Sequence, residues 1–124
     1  MRPISTTNAP KAIGPYSQAI LSGFTVYTSG QIGINPATGK LVQDSIEAEV
    51  QQVLDNLEAV LGEARMGFEN VVKTTVFITD MADFAAINAV YAKAFKQDPP
   101  ARSCVQVAAL PLGARVEIEC VATK

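Results

Sequence analysis

The chain has 124 residues, one domain's worth, with 48% apolar residues, 18% charged residues and a net charge of −2. That charge balance leaves no electrostatic footprint for nucleic acid, and no apolar stretch is long enough to cross a bilayer. There is no histidine, which removes Ser-His-Asp and Cys-His catalysis and the commonest metal ligand.

The N-terminus, Met1 to Thr7, lacks the apolar run of a signal peptide. The expected location is therefore cytoplasmic, with Cys104 and Cys120 as reduced thiols. Residues 8 to 16 carry two prolines and a glycine and predict an ordered loop. Ser17 to Leu21 and Thr25 to Ser29 read as strands joined by a Ser22-Gly23 turn. Asn35 to Gly39 is a second turn. Asp44 or Ser45 then caps a long helix, with Glu47 placed for a capping box with Asp44. Ile46, Val50, Val53, Leu54, Leu57, Val60, Leu61 and Ala64 form its apolar stripe, and Gly67 is placed to stop it. Val71 to Thr79 is rich in β-branched residues and predicts a strand. Ala82 to Phe95 predicts a second amphipathic helix, broken by Asp98-Pro99-Pro100. Ser103 to Ala108 and Arg115 to Ala122 predict two closing strands.

The order β-β-α-β-α-β-β, with one apolar stripe per helix, predicts a single domain over residues 1–124. Two such helices cover one face of one sheet, a two-layer α+β sandwich. The other face is not uniformly polar. In the strand from Lys73, Thr75 and Phe77 alternate with Thr74, Val76 and Ile78. Together with the low charge content, that face suits subunit packing, although composition alone is equally compatible with a monomer.

Without histidine, chemistry falls to Glu, Asp, Arg, Lys, Tyr, Ser or the backbone. Arg102 follows Pro99-Pro100-Ala101 and enters an apolar strand. It is either a strand-end or ion-paired arginine, or a planar fork held rigidly for a carboxylate. Glu117 and Glu119 share one strand face, opposite Val116, Ile118 and Cys120. They are either water-facing carboxylates or a site in which Glu117 orients or deprotonates a water. In Thr28-Ser29-Gly30-Gln31, Ser29 offers a hydroxyl and an amide, and Gly30 permits close approach of a ligand. Gly14-Pro15-Tyr16 aims a phenol either into a pocket or toward a local partner. Asn88, poorly suited to mid-helix, calls for a specific partner. Cys104 shares a face with Arg102 and lacks the surroundings of a nucleophile. These residues alone describe an α+β domain with capacity for a small anion.

Pro100-Ala101-Arg102-Ser103-Cys104-Val105 followed by Val116-Glu117-Ile118-Glu119 resembles the signature of the reactive intermediate deaminase (Rid, or YjgF) family. Ala12 to Ala19, Thr28 to Ile32 and Val72 to Phe77 resemble the same family, in order, from about Asn8 to Ala122. The resemblance implies a chorismate-mutase-like fold, a mixed sheet of about six strands with two helices on one face. It further implies a homotrimer around a central barrel, with sites between subunits. Arg102 and Glu117 match the catalytic positions of the imine-hydrolysing branch, and Tyr16, Ser29, Gly30, Asn88 and Cys104 match substrate-binding positions. Gln106, Ala109 and Leu112-Gly113-Ala114 depart from the commonest family pattern.

The expected activity is hydrolysis of 2-aminoacrylate-type enamines and 2-imino acids to 2-oxo acids and ammonia, without metal or cofactor. A regulatory module binding a small carboxylate, an endoribonuclease and a chaperone-like trimer are the rival readings. No nucleic-acid or membrane partner is expected.

Overall fold

The computed structural model describes residues 1–124. Its strands are β1 (Arg2–Ile4), β2 (Ala19–Ser22), β3 (Thr25–Thr28), β4 (Ile34–Asn35), β5 (Lys40–Leu41), β6 (Val71–Ile78), β7 (Ala101–Gln106) and β8 (Val116–Thr123). The helices are α1 (Ile46–Glu63) and α2 (Phe84–Ala94). Six strands form one sheet in the order β1-β2-β3-β8-β6-β7. All neighbours are antiparallel except β6 and β7, whose parallel pairing requires the crossover that α2 supplies. The expected two-layer α+β sandwich with both helices on one face is therefore the observed fold.

Strict alternation makes β8 the spine of the sheet. Val116, Ile118, Cys120 and Ala122 are buried, while Glu117, Glu119, Val121 and Thr123 face the other way and are half-buried. Over the buried face, Val50, Val53, Leu54, Leu57, Val60 and Leu61 supply the stripe of α1. Ile87, Val90 and Tyr91 do the same for α2. On the opposite face Tyr27, Val105 and half-buried Phe77 have no helix above them.

Several boundaries differ from expectation, each for a local reason. β1 went unforeseen because it is three residues long and contains Pro3, which an edge strand tolerates. β4 and β5 form a separate small hairpin around the Asn35–Gly39 turn. The cap of α1 is Ser45, whose hydroxyl accepts from the Ala48 amide at 3.0 Å. With Ala48 at the third helical position, the box expected of Asp44 and Glu47 does not form, and Ser45 caps alone. Gly67 is not the stop of α1. Arg65 takes the left-handed conformation (φ 60°), and the Met66 and Arg65 amides donate to Leu61 and Gly62 carbonyls, a Schellman closure. Asp80 caps a short turn over Met81–Asp83, which delays α2 to Phe84. β7 begins at Ala101, so Arg102 lies inside the strand rather than before it.

Candidate functional site

Glu117 lies on the open face of β8, in register with Phe77 of β6. Beside it the chain runs from Ser29 to Gln31, which bridges Ile118 through backbone hydrogen bonds of 2.9 and 3.1 Å. This bridge brings Gly30 against the Glu117 side chain. A Cβ at residue 30 would stand 2.7 Å from the Glu117 carboxyl carbon, so only glycine leaves the carboxylate its place. From sequence, Gly30 is expected to let a ligand approach. What it admits in this chain is the acid itself.

The carboxylate opens into a cleft of about 490 Å³, lined among others by Lys11, Tyr16, Ser29, Leu112 and Glu119. Partial burial, with Glu119 on the same strand face as a second cause, pushes the Glu117 carboxyl above the usual carboxylate range. Tyr16 and Ser29 line the same cleft as Glu117. Ser29 is less free than the sequence suggested. Its hydroxyl donates to the Ser17 carbonyl at 2.6 Å and its amide to the Gln18 carbonyl at 2.9 Å. Neither donor is left for a ligand, and only the hydroxyl oxygen can still accept.

Arg102 belongs to a different surface. Its strand partner is Thr74, which faces α2, so Arg102 and Cys104 point to the helix-covered side of edge strand β7. The guanidinium donates to Asn88 Oδ1 at 2.6 Å and lies over the rings of Tyr91 (4.8 Å) and Phe84 (5.6 Å). Tyr91 is anchored in turn by a 2.7 Å hydrogen bond to the buried Thr74 hydroxyl. Asn88 therefore has the specific partner that its mid-helix position demanded. Cys104 is half-buried, and burial pushes its thiol up against a weaker opposing pull from Arg102, which leaves it protonated near neutrality. Cys120, buried in the core, is pushed up to about 11.

The seven residues singled out in the sequence thus form two groups. Tyr16, Ser29, Gly30 and Glu117 gather on one side of the sheet, and Asn88, Arg102 and Cys104 on the other. Within one chain Arg102 and Glu117 do not meet.

The framework that holds the first group has no local signature in the sequence. Gln18 is buried, donates to the Thr6 and Pro10 carbonyls and accepts from the Thr6 amide at 2.7 Å, stitching down the loop that carries Tyr16. Glu49 is fully buried in the first turn of α1 and accepts from the Arg115 backbone amide (2.8 Å) and Nε (2.7 Å). It also packs so closely on Gly33 that a Cβ there would lie 2.9 Å from the Glu49 carbonyl oxygen. One carboxylate thereby ties helix, loop and the entrance of β8 together. A Glu in a helix's first turn, here with Glu47 beside it, looks like an ordinary dipole partner in sequence. Its burial depends on a residue 66 positions away.

The fold and its two side-chain groups define a small α+β protein with a carboxylate-bearing cleft on the open sheet face and a clamped arginine at the sheet edge. The chain belongs to the Rid (YjgF) family: the family model described as Endoribonuclease L-PSP matches residues 6–124. The human protein named 2-iminobutanoate/2-iminopropanoate deaminase is 52% identical over 121 residues, covering 98% of this chain and 88% of that one. Reactive Intermediate Deaminase A, chloroplastic, from Arabidopsis thaliana is 50% identical over 120 residues. That match covers 97% of this chain, which spans only 64% of the Arabidopsis protein's length. Among solved structures, E. coli TdcF with bound serine superposes with a TM-score of 0.96 at 42% identity, covering 100% of this chain and 99% of that one. RidA from an Antarctic Psychrobacter also gives 0.96 at 42% identity, with complete coverage of both chains.

Proposed function

We propose that this protein hydrolyses short 2-imino acids and their enamine tautomers, such as 2-aminoacrylate, 2-iminopropanoate and 2-iminobutyrate, to 2-oxo acids and ammonia. The names of its relatives support the reaction class. The observation that carries the reading is the Glu117 carboxyl, seated against Gly30 at the wall of an open cleft, where partial burial raises it above its usual range. A carboxylate tuned in that direction suits proton transfer nearer neutral pH.

Because Arg102 and Glu117 lie on opposite sides of one sheet, the site is proposed to form between copies of a homotrimer. Glu117, Tyr16, Ser29 and Gly30 come from one subunit. The partner subunit's Arg102, with Asn88 and Cys104 beside it, completes the site. Arg102 grips the substrate carboxylate with the guanidinium edge that Asn88 leaves open, which fixes the imine carbon in place. Glu117 accepts a proton from water as the oxygen bonds to that carbon and the C=N π electrons move to nitrogen. The proton returns to nitrogen, Glu117 then takes the remaining hydroxyl proton as the C=O bond forms, and the C–N bond breaks to release ammonia. A protonated imine is its own electrophile, so the proposal invokes neither metal nor cofactor. Free imines also hydrolyse in water, so the acceleration required of the site is modest.

The test follows imines generated in situ by an amino-acid oxidase and trapped competitively with semicarbazide. Wild-type protein should speed imine loss and Arg102→Ala should not, with its particle size unchanged. Arg102→Lys should also be poor, since an ammonium cannot replace the planar fork. A fully active Arg102→Ala variant sinks the proposal. No acceleration by wild type would favour a carboxylate-binding regulatory module. An endoribonuclease, the activity in the family model's description, is less well served by a histidine-free chain of net charge −2. That reading would require RNA binding that weakens steeply with salt.

A further inference from the structure

The connection from β7 to β8 passes through a single tight turn, Pro111–Gly113, whose middle residue is in the left-handed region. Leu112 has φ 59° and ψ 20°, and Gly113 follows with φ 75°. For glycine this is free, whereas for leucine it is disfavoured by its Cβ. The chain nonetheless keeps a leucine there and does not bury it, since Leu112 is 66% exposed. A strained conformation of this kind persists where the surroundings enforce it, and it points to a use for the side chain.

The surroundings do enforce it. The Ala114 amide closes the turn on the Pro111 carbonyl at 3.1 Å, and Gln43 Nε2 donates to the Gly113 carbonyl at 3.1 Å. Arg115, two residues further, is locked to buried Glu49. So held, Leu112 stands on the wall of the Glu117 cleft, which Ile13 (80% exposed) and Tyr16 also line. An acid and an apolar wall within one cleft suit a substrate with a reacting polar end and an apolar tail.

We infer that Leu112 is a specificity-determining residue that packs against the side chain of the 2-imino acid and favours apolar side chains longer than methyl. The inference rests on the imine-hydrolase reading and names the substrate feature which that site selects. The imines derived from leucine and from alanine separate the two. For wild type, Leu112→Ala and Leu112→Gly, kcat/KM is measured on each imine, and the size of each protein is measured by light scattering. The ratio of kcat/KM, leucine-derived over alanine-derived, should fall about tenfold in both variants, the discrimination expected of a lost apolar contact. Leu112→Gly also frees the backbone, so an equal fall in the two variants assigns the effect to the side chain rather than the strain. An unchanged ratio overturns the inference, as does equal loss on both imines. A smaller particle in either variant overturns it too, because Leu112 would then be sealing a contact between copies. Wild type inert on both imines would instead remove the hydrolase reading, and this inference with it.

Discussion

Glu117 offers the most direct reading of charge at single-residue scale. Burial and then Glu119 hold its carboxyl above the usual range. As a base it must be ionised, so turnover should fall as pH drops through that raised value. Glu119→Gln removes a like charge, which makes ionisation of Glu117 easier and moves the acid limb of kcat/KM to lower pH. An acid limb that stays in place in Glu119→Gln would show that Glu117 does not set it. The residue types were visible in sequence, since alternation put both carboxylates on one face of β8. The clearance at Gly30 was not, because it depends on a loop 87 positions earlier bridging to Ile118. Ser29 shows the reverse case. Its hydroxyl looked available for a ligand, yet it is spent on Ser17.

Among the elements, α1 repeats its pattern most faithfully, and its end is where the pattern misled. Arg65 closes the helix in a conformation that glycine adopts without penalty. Arg65→Gly removes about 1–2 kcal/mol of left-handed strain and gives back about 0.5–1 kcal/mol in unfolded-chain entropy. A net stabilisation of up to about 1.5 kcal/mol is expected, read as a higher denaturant midpoint at constant slope. A lower midpoint would mean that the Arg65 side chain contributes more than its backbone costs. The 3.6-residue stripe was legible because every position on it is buried or nearly so. The stop was not, because Gly67 is a sequence cue whereas the Leu61 and Gly62 carbonyls are satisfied by whichever residues follow closest. The same holds for β1. Three residues with a proline show no period, and only pairing with β2 makes them a strand.

At the scale of the whole molecule, one sheet face is covered by helices and the other carries Tyr27, Phe77, Val105 and the Glu117 cleft. If the site forms between copies, Arg102→Ala and Glu117→Gln chains should rescue each other when unfolded together and refolded as a mixture. Every mixed closed trimer would hold one interface with both side chains intact. Roughly one quarter of wild-type turnover is then expected from random equal mixing. A mixture as inert as its parents would exclude a site shared in this way.

Periodicity, the absence of histidine and the order of elements determined from sequence alone that this is a two-layer α+β domain with one open face. They also determined which residue types were left to do chemistry. Five short motifs in register were enough to indicate the family. These features survive in one dimension because they depend on spacing along the chain and on side-chain identity. Only the tertiary structure decided that Gly30 makes room for Glu117, that Glu49 locks Arg115, and that Arg102 faces α2 rather than Glu117. Each of those turns on which residues distant in sequence share a sheet face, and strand order and register set that.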